Sequence, residues 1–208
     1  MIRSARFARL AIRLKPRADV LLDALSLVLP TRPHVDVRFV GEIVADKPGE
    51  ALPRVFARRY EREAWRDRIT FEGALPAAQL DQAYADCDVF VAPSRYESFG
   101  LVFVEAMMFG KACIGARAGG VPEIIVEGET GRLVSPSDAA ALAEALANLI
   151  DDPAHCRAMG AAGRARYLAE FTDTRMALRL QALFQEAVAA SAWRAASVGQ
   201  DQPVASSE

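Results

Sequence analysis

Two glutamates beside a glycine-rich stretch are the residues of this chain best suited to binding chemistry. Glu97 and Glu105 lie eight positions apart, and Glu105 is the only polar side chain in an apolar helical run from Leu101 to Phe109. A helix that is apolar on all sides is buried, and a carboxylate within it needs hydrogen-bond donors to offset its lost hydration. Ligand hydroxyls are favoured as those donors over the alternative, a salt bridge to an internal arginine.

The segment between the two glutamates forms the mouth of that helix. Four amides are expected to point outward there, those of Ser98, Phe99, Gly100 and Leu101. Together with the positive end of the helix dipole they suit an oxygen-rich anion, whereas a carboxylate repels phosphate and accepts hydrogen bonds from vicinal hydroxyls. The pattern indicates a ligand with both phosphate and hydroxyl groups, as in a nucleotide sugar. The alternative for Glu97 is that its charge only stabilises the helix terminus.

Glycines concentrate in the same region. Seven of the 13 fall within residues 100–131, namely Gly100, Gly110, Gly115, Gly119, Gly120, Gly128 and Gly131. Glycine is used where the backbone takes positive φ or comes close to another group. Spacing alone leaves two interpretations open, close approach to a ligand or a series of tight turns, and the nearby carboxylates favour the first.

The elements that must position these residues alternate between short apolar runs and longer helical patterns. The predicted strands are Leu10–Leu14, Val35–Val40, Ile69–Phe71, Asp88–Ala92, Ala112–Ala116 and Arg132–Val134, with helices near 18–29, 50–65, 76–86, 101–110 and 122–126. This order predicts an α/β fold with a doubly wound, Rossmann-like parallel sheet. In such a sheet, ligands bind at the carboxyl ends of the strands near the switch point.

The alternation of strand and helix patterns ends after Val134. Three consecutive helices are predicted at about 138–150, 153–170 and 173–191. The expected organisation is one domain over residues 1–191 and a disordered tail over residues 192–208. The last helix is amphipathic, and the sequence leaves open whether its apolar face packs on the domain or lacks cover.

Composition narrows the class of partner. The 208 residues carry a formal charge of −2, which argues against a nucleic-acid binder, and no apolar run is long enough to span a bilayer. The first 17 residues hold six basic side chains and no acid. An ordinary first strand is favoured there over a mitochondrial targeting segment or a weak membrane-surface contact. The three separated cysteines predict reduced, buried thiols and a cytoplasmic protein without a metal site.

The segment that starts at Pro93 resembles a known family. The run PSRYESFGLVFVEAMMFGKACIGARAGGVPEIIVEGETGRLVSPSD is similar to the donor-binding half of the retaining glycosyltransferases of family 4, which have the GT-B fold. The family's mark is two glutamates separated by seven residues, followed by Gly-Gly and Pro-Glu-Ile. The resemblance extends more loosely from about Leu10 to Ala190, and it implies a GT-B C-terminal-type domain with extra C-terminal helices.

The resemblance also implies roles for individual residues. Glu97 would contact the transferred sugar beside its reacting carbon, and Glu105 would bind the nucleotide ribose. The other residues implied in donor binding are Ser98, Phe99, Gly100, Leu101, Gly119 and Gly120. Gly41 and the Gly73-Ala74-Leu75 turn would border the nucleotide pocket, and Ala74 and Leu75 are the residues of that turn implied in binding.

The diphosphate site departs from the family's pattern. The family uses an arginine and a Lys-Gly pair after the first strand of this half, whereas this chain reads Arg13-Leu14-Lys15-Pro16-Arg17. Arg13 is kept, and Lys15 or Arg17 is expected to replace the missing lysine, so that charge stabilises the leaving diphosphate without a metal ion. Solvated surface cations are the alternative for both replacements.

The resemblance predicts a hexosyltransferase that uses a nucleotide sugar and retains configuration. Acceptor residues lie on an N-terminal half in this family, and little of such a half precedes Leu10. The acceptor site is therefore expected from another chain or from a homodimer partner. The alternative is a non-catalytic module, truncated or diverged, that retains only nucleotide-sugar binding.

Overall fold

Six parallel strands form the sheet of this protein. The computed structural model describes residues 8–13, 19–41, 51–94 and 97–198. The strands are β1 (Ala8–Arg13), β2 (Val35–Val40), β3 (Ile69–Gly73), β4 (Val89–Ala92), β5 (Ala112–Ala116) and β6 (Gly131–Val134). Their order in the sheet is β3-β2-β1-β4-β5-β6, so the winding direction reverses between β1 and β4. The predicted doubly wound sheet is confirmed, and its switch point lies at the carboxyl ends of β1 and β4.

Eight α-helices accompany the strands in the described part of the chain. They are α1 (Asp19–Val28), α2 (Leu52–Arg59), α3 (Ala77–Asp86), α4 (Leu101–Met108), α5 (Val121–Ile124), α6 (Ala139–Asp151), α7 (Pro153–Glu170) and α8 (Asp173–Val198). The first five connect successive strands, and α1 packs against α6. Because helices flank the sheet, all residues of β4 and β5 are buried. Among the described residues, none of the helices combines the length and the apolar character that crossing a membrane requires.

The helix predicted over residues 50–65 is too long. Helix α2 ends at Arg59, and a short 3-10 turn at Arg66–Arg68 leads into β3. The reason is an aromatic cluster in which the rings of Tyr60 and Trp65 lie 5.0 Å apart, both near Phe56. Residues five apart on a continuous helix face different directions. The chain therefore leaves the helix so that Trp65 can pack against Tyr60.

The three cysteines are all buried, and none of them forms a disulfide. Burial raises the pKa of the Cys156 thiol to about 11, and it raises the pKa of Cys113, in the middle of β5, still further. Because the thiolate is the reactive form, these side chains behave as small apolar core residues.

The chain divides into two compact units, Met1–Tyr167 and Leu168–Glu208. The second consists of the end of α7 and the long helix α8, which continues to Val198, past residue 191 where the sequence placed its end. Residues 199–208 of the predicted tail lie outside the described part of the chain. Every residue from Asp173 to Ala190 is exposed. The exposed large apolar side chains of α8 are Met176, Leu178, Leu180, Leu183, Phe184 and Val188.

Candidate donor-binding site

The two glutamates lie where the switch point predicts a ligand. Strand β4 ends at Ala92, and the chain runs through Pro93 and Ser94 to Glu97, just before α4. Although it belongs to a loop, Glu97 is only 6% exposed. A carboxylate that is so little exposed loses most of its hydration, and the groups around it must be positioned to compensate for that loss.

Gly100 turns the chain from this loop into α4. It takes a left-handed conformation with φ of 98°, and its carbonyl oxygen accepts a hydrogen bond from the amide of Phe103. No described side chain caps this helix end. Ser98, Phe99 and Leu101 are exposed around it. Two apolar side chains, Phe99 and Leu101, therefore lie beside the N-terminus of α4. The outward direction of the amides in this loop stays a prediction.

The glycine pair after β5, Gly119 and Gly120, packs against the main chain of residues 97–100, called here the glutamate loop. The Gly120 amide donates to the carbonyl oxygen of Glu97 at 2.8 Å. A Cβ atom on Gly119, whose φ is 55°, would lie 1.9 Å from that same oxygen, and one on Gly120 would lie 2.7 Å from the Ser98 oxygen. These two glycines are thus required by main-chain contact within the protein. The sequence assigned them to the ligand, and that contact stays a prediction.

Glu105 has a tyrosine as hydrogen-bond partner. The Tyr84 hydroxyl, carried by α3, donates to Oε2 of Glu105 at 2.7 Å. The Tyr84 ring stacks on Phe109 with centroids 5.7 Å apart and lies 5.4 Å from the ring of Phe90. Sequence reasoning missed Tyr84. The need of a buried carboxylate for a donor was recognised, but the pattern could not show which side chain of another helix would supply it.

A second residue that the sequence did not single out fixes the segment behind the glycine pair. Arg166 of α7 donates from Nε to the carbonyl oxygen of Ile124 at 2.9 Å, and from a terminal nitrogen to that of Glu123 at 2.8 Å. Both acceptors lie at the end of α5, which follows Gly120 directly. Helix α7 therefore helps to fix the position of α5 and, through the preceding Gly120, that of the glutamate loop.

The other predicted residues follow the carboxyl ends of neighbouring strands. Gly41 comes after β2 and donates its amide to the carbonyl oxygen of Gly73, the last residue of β3, at 2.8 Å. Ala74 is exposed and Leu75 is half-buried in the loop that follows. These residues share one edge of the sheet with the glutamate loop because all the strands are parallel.

The predicted diphosphate residues are described only in part. Arg13 is the last residue of β1, at the switch point, but its side chain is outside the described part of the chain. Lys15 and Arg17 lie outside the described residues altogether. The structure thus brings the backbone of Arg13 to the same edge as Glu97, and the roles of the three cations stay predictions.

Comparison with known proteins decides the family. A family model described as "Glycosyl transferases group 1" matches residues 11–166. The chain belongs to this family. A D-inositol 3-phosphate glycosyltransferase of Streptomyces avermitilis is 36% identical over 146 residues, which are 69% of this chain and 32% of that protein. The chain spans about a third of the length of such curated relatives.

Solved structures of other proteins share the fold. Sucrose-phosphate synthase from Thermosynechococcus elongatus has a TM-score of 0.73 at 30% identity over 88% of this chain and 46% of that one. Anabaena Alr3699/HepE in complex with UDP-glucose has a TM-score of 0.72 at 26% identity over 87% and 49%. The Rossmann-like domain of this group 1 glycosyltransferase chain is therefore of the C-terminal GT-B type, as predicted.

Proposed function

We propose that this chain is the donor-binding part of an enzyme that transfers a hexose from a nucleotide sugar to an acceptor with retention of configuration. The observation that carries the proposal is the glutamate loop. It contains a buried carboxylate, Glu97, and leads into the N-terminus of α4 beside the switch point of a group 1 glycosyltransferase sheet. Such a site offers acceptors for sugar hydroxyls and donors for phosphate within one loop.

Each part of the loop has a separate task in this proposal. Glu97 accepts hydrogen bonds from the hexose beside its reacting carbon, and Glu105 accepts them from the ribose diol. The amides of Ser98, Phe99, Gly100 and Leu101 reach the phosphate and the remaining hydroxyls. Support for the ligand class comes from HepE, which was solved in complex with UDP-glucose and is 26% identical to this chain.

The proposed reaction needs no nucleophile from the protein. The bond between the anomeric carbon and the diphosphate oxygen breaks, and the acceptor oxygen forms its bond on the same face of the sugar. The departing phosphate oxygen takes the acceptor's proton. Arg13, with Lys15 or Arg17, balances the growing charge of the diphosphate.

Acceptor binding is proposed to require a second polypeptide surface. The chain covers only about a third of the curated relatives that it matches. A partner chain with an acceptor domain, or a second copy of this chain, would supply the residues that bind the acceptor and close the cleft. Without such a surface, the site described here binds the donor but does not complete transfer.

Titration calorimetry with UDP-, GDP- and ADP-hexoses tests the proposal. We expect one nucleotide to bind, and we expect Glu105→Ala to weaken that binding by about 1–3 kcal/mol, since buried hydroxyls lose a charged acceptor. Glu144→Ala is the matched control, because Glu144 lies exposed on α6.

Three outcomes separate the alternatives. Binding with turnover in the presence of an acceptor-domain partner supports the transferase, and binding without turnover supports a non-catalytic module. No binding of any nucleotide sugar, or equal binding by Glu105→Ala and the wild type, contradicts the proposed site.

A further inference from the structure

Tyr84 is held more firmly than the carboxylate that it contacts. Its side chain is 3% exposed, and its ring lies between Phe90, which belongs to β4, and Phe109, which follows α4. Glu105 is only half-buried. The hydroxyl of Tyr84 thus occupies a position fixed by the strand and the helix that carry the candidate site.

A fixed donor on one carboxylate oxygen restricts the whole group. A glutamate side chain has several rotatable bonds, and ordering it on binding costs conformational entropy. The 2.7 Å hydrogen bond to Oε2 selects one rotamer and one orientation of the carboxylate plane before any ligand arrives.

The chemical type of the donor matters as well. A tyrosine hydroxyl is neutral, so it orients the carboxylate without cancelling its charge. An arginine in the same place would form a bidentate pair and occupy both oxygens. The Tyr84 hydroxyl brings no charge of its own and donates to only one of the two carboxylate oxygens of Glu105.

We infer that Tyr84 is a positioning residue for recognition of the nucleotide's ribose diol. Its hydroxyl sets the carboxylate of Glu105 in the orientation that accepts hydrogen bonds from two vicinal hydroxyls. This inference rests on the proposed function of Glu105. It goes further in predicting that diol selectivity depends on a buried side chain of α3 that itself stays away from the ligand.

The test compares ligands with and without the diol. Affinities are measured by calorimetry for UDP and for 2′,3′-dideoxy-UDP, with the ADP and GDP pairs run in parallel. In the 208-residue wild type we expect the ribose form to bind more tightly. In Tyr84→Phe we expect that preference to fall about five- to tenfold while the dideoxy affinity stays unchanged, as for the loss of an orienting hydrogen bond to a charged group.

Tyr60→Phe is the matched control. Tyr60 is also buried, and its hydroxyl lies 3.4 Å from Asp23, in the aromatic cluster after α2. We expect this variant to keep the full preference for the ribose form. A general loss of stability would affect both ligands equally, so the ratio of affinities separates positioning from folding.

The outcomes distinguish this inference from the proposed function. If Glu105→Gln binds both ligands like the wild type, the proposed role of Glu105 fails. If Glu105→Gln loses the preference but Tyr84→Phe retains it, the positioning role of Tyr84 is overturned while the site survives. Equal weakening of both ligands by Tyr84→Phe also overturns it.

A second variant covers the case in which Tyr84→Phe folds poorly. Replacement of Tyr84 by 3,5-difluorotyrosine keeps the ring and the hydroxyl but makes the hydroxyl ionise nearer neutrality. We expect normal selectivity at acidic pH and a loss of selectivity as the phenolate forms and repels Glu105. The phenolate is followed by its ultraviolet absorbance, and selectivity that stays unchanged after the phenolate has formed would contradict the inference.

Discussion

The two halves of the sheet are packed by different means. On the side of β1 to β3, aromatic side chains fill the space, with the rings of Phe39 and Phe71 stacked at 4.8 Å and Phe56 beside them. On the side of β4 to β6, rings pack as well, with those of Phe90 and Phe103 5.7 Å apart, but main chain also packs directly on main chain. A Cβ atom on Gly131 would lie 2.4 Å from the Cys113 carbonyl oxygen, and one on Gly160 would lie 2.2 Å from that of Gly110.

The difference follows from what each half has to hold. Side chains can change rotamer and absorb a small change in volume, whereas a carbonyl oxygen in a packed segment cannot move alone. The glutamate loop lies on the side where glycines bring main chain against main chain. Changes in side-chain volume should therefore be tolerated less well near the proposed donor site than in the half formed by β1 to β3.

The largest effect is expected from Gly119→Ala. The new methyl group would meet the Glu97 carbonyl oxygen at 1.9 Å, so the glutamate loop must move. We expect a loss of at least about 3 kcal/mol in the free energy of unfolding and loss of nucleotide binding, measured by urea denaturation and calorimetry.

Gly128→Ala is the control for backbone strain. Gly128 also has a positive φ, 76°, but nothing lies within 4 Å of the position that its methyl group would take. It should cost only about 1–2 kcal/mol and leave binding unchanged. Equal effects of the two variants would show that φ, and not contact with the loop, makes Gly119 necessary.

A smaller effect, and a change of sign, is expected within α7. Alanine is favoured over glycine in a helix by about 1 kcal/mol, but a methyl group on Gly160 would collide with the Gly110 oxygen. Gly160→Ala should lower the free energy of unfolding by about 2 kcal/mol. The methyl group of Gly163→Ala meets the flexible Met107 side chain at 3.3 Å and no main-chain atom nearer than 3.6 Å, so this variant should be neutral or stabilising. Stabilisation by both variants would refute main-chain packing at this position.

The aromatic half should respond more mildly. Phe56→Leu leaves a partly filled space among Tyr60, Trp65 and Phe71, whose rings can shift. We expect a loss of about 1–1.5 kcal/mol in thermal or urea unfolding, with unchanged nucleotide affinity. A large loss of affinity would mean that the two halves are not independent in the way proposed here.

The smallest effect is expected at an ion pair outside both packing schemes. Arg32 donates to Asp151 at 2.9 and 2.5 Å and holds the pKa of that carboxyl below its usual range. Because the folded pKa is lowered, the stabilisation is present at neutral pH and is lost as the pH falls below about 4. Asp151 is half-exposed, so Asp151→Asn should cost only about 0.5 kcal/mol at pH 7.

The pH series also provides the check on that prediction. The difference between Asp151→Asn and the wild type in urea unfolding should shrink in acid and in 1 M salt. A difference that is constant from pH 7 down to the acid limit would assign it to something other than the charge of Asp151.

Most of the fold could be predicted from periodicity. Strand β5 is continuously apolar and β2 alternates between apolar and charged residues, and the predicted bounds of both match the observed ones residue for residue. The end of α2 could not be placed, because the helical pattern continues past Arg59 and only the packing of Trp65 on Tyr60 ends it. Local patterns carry no information about such a contact.

The site shows the same limit. Glu105 could be selected because a carboxylate in an apolar run is conspicuous in one sequence, and Glu97 because it lies at the start of the same helix. The partner of Glu105 could not, since Tyr84 looks like any aromatic residue on the inner face of a helix. The close approach of Gly119 to Glu97 was also hidden, because it joins loops that follow different strands.

The order of the strands has a consequence for synthesis of the chain. Strand β1 lies in the middle of the sheet, yet 75 residues separate it from β4, its neighbour across the switch point. A ribosome adds about 5–20 residues per second, so the edge of β1 that pairs with β4 stays without its partner for several seconds during synthesis. An unpaired strand edge is a template for wrong pairing, so β1 is open to misassembly until β4 emerges.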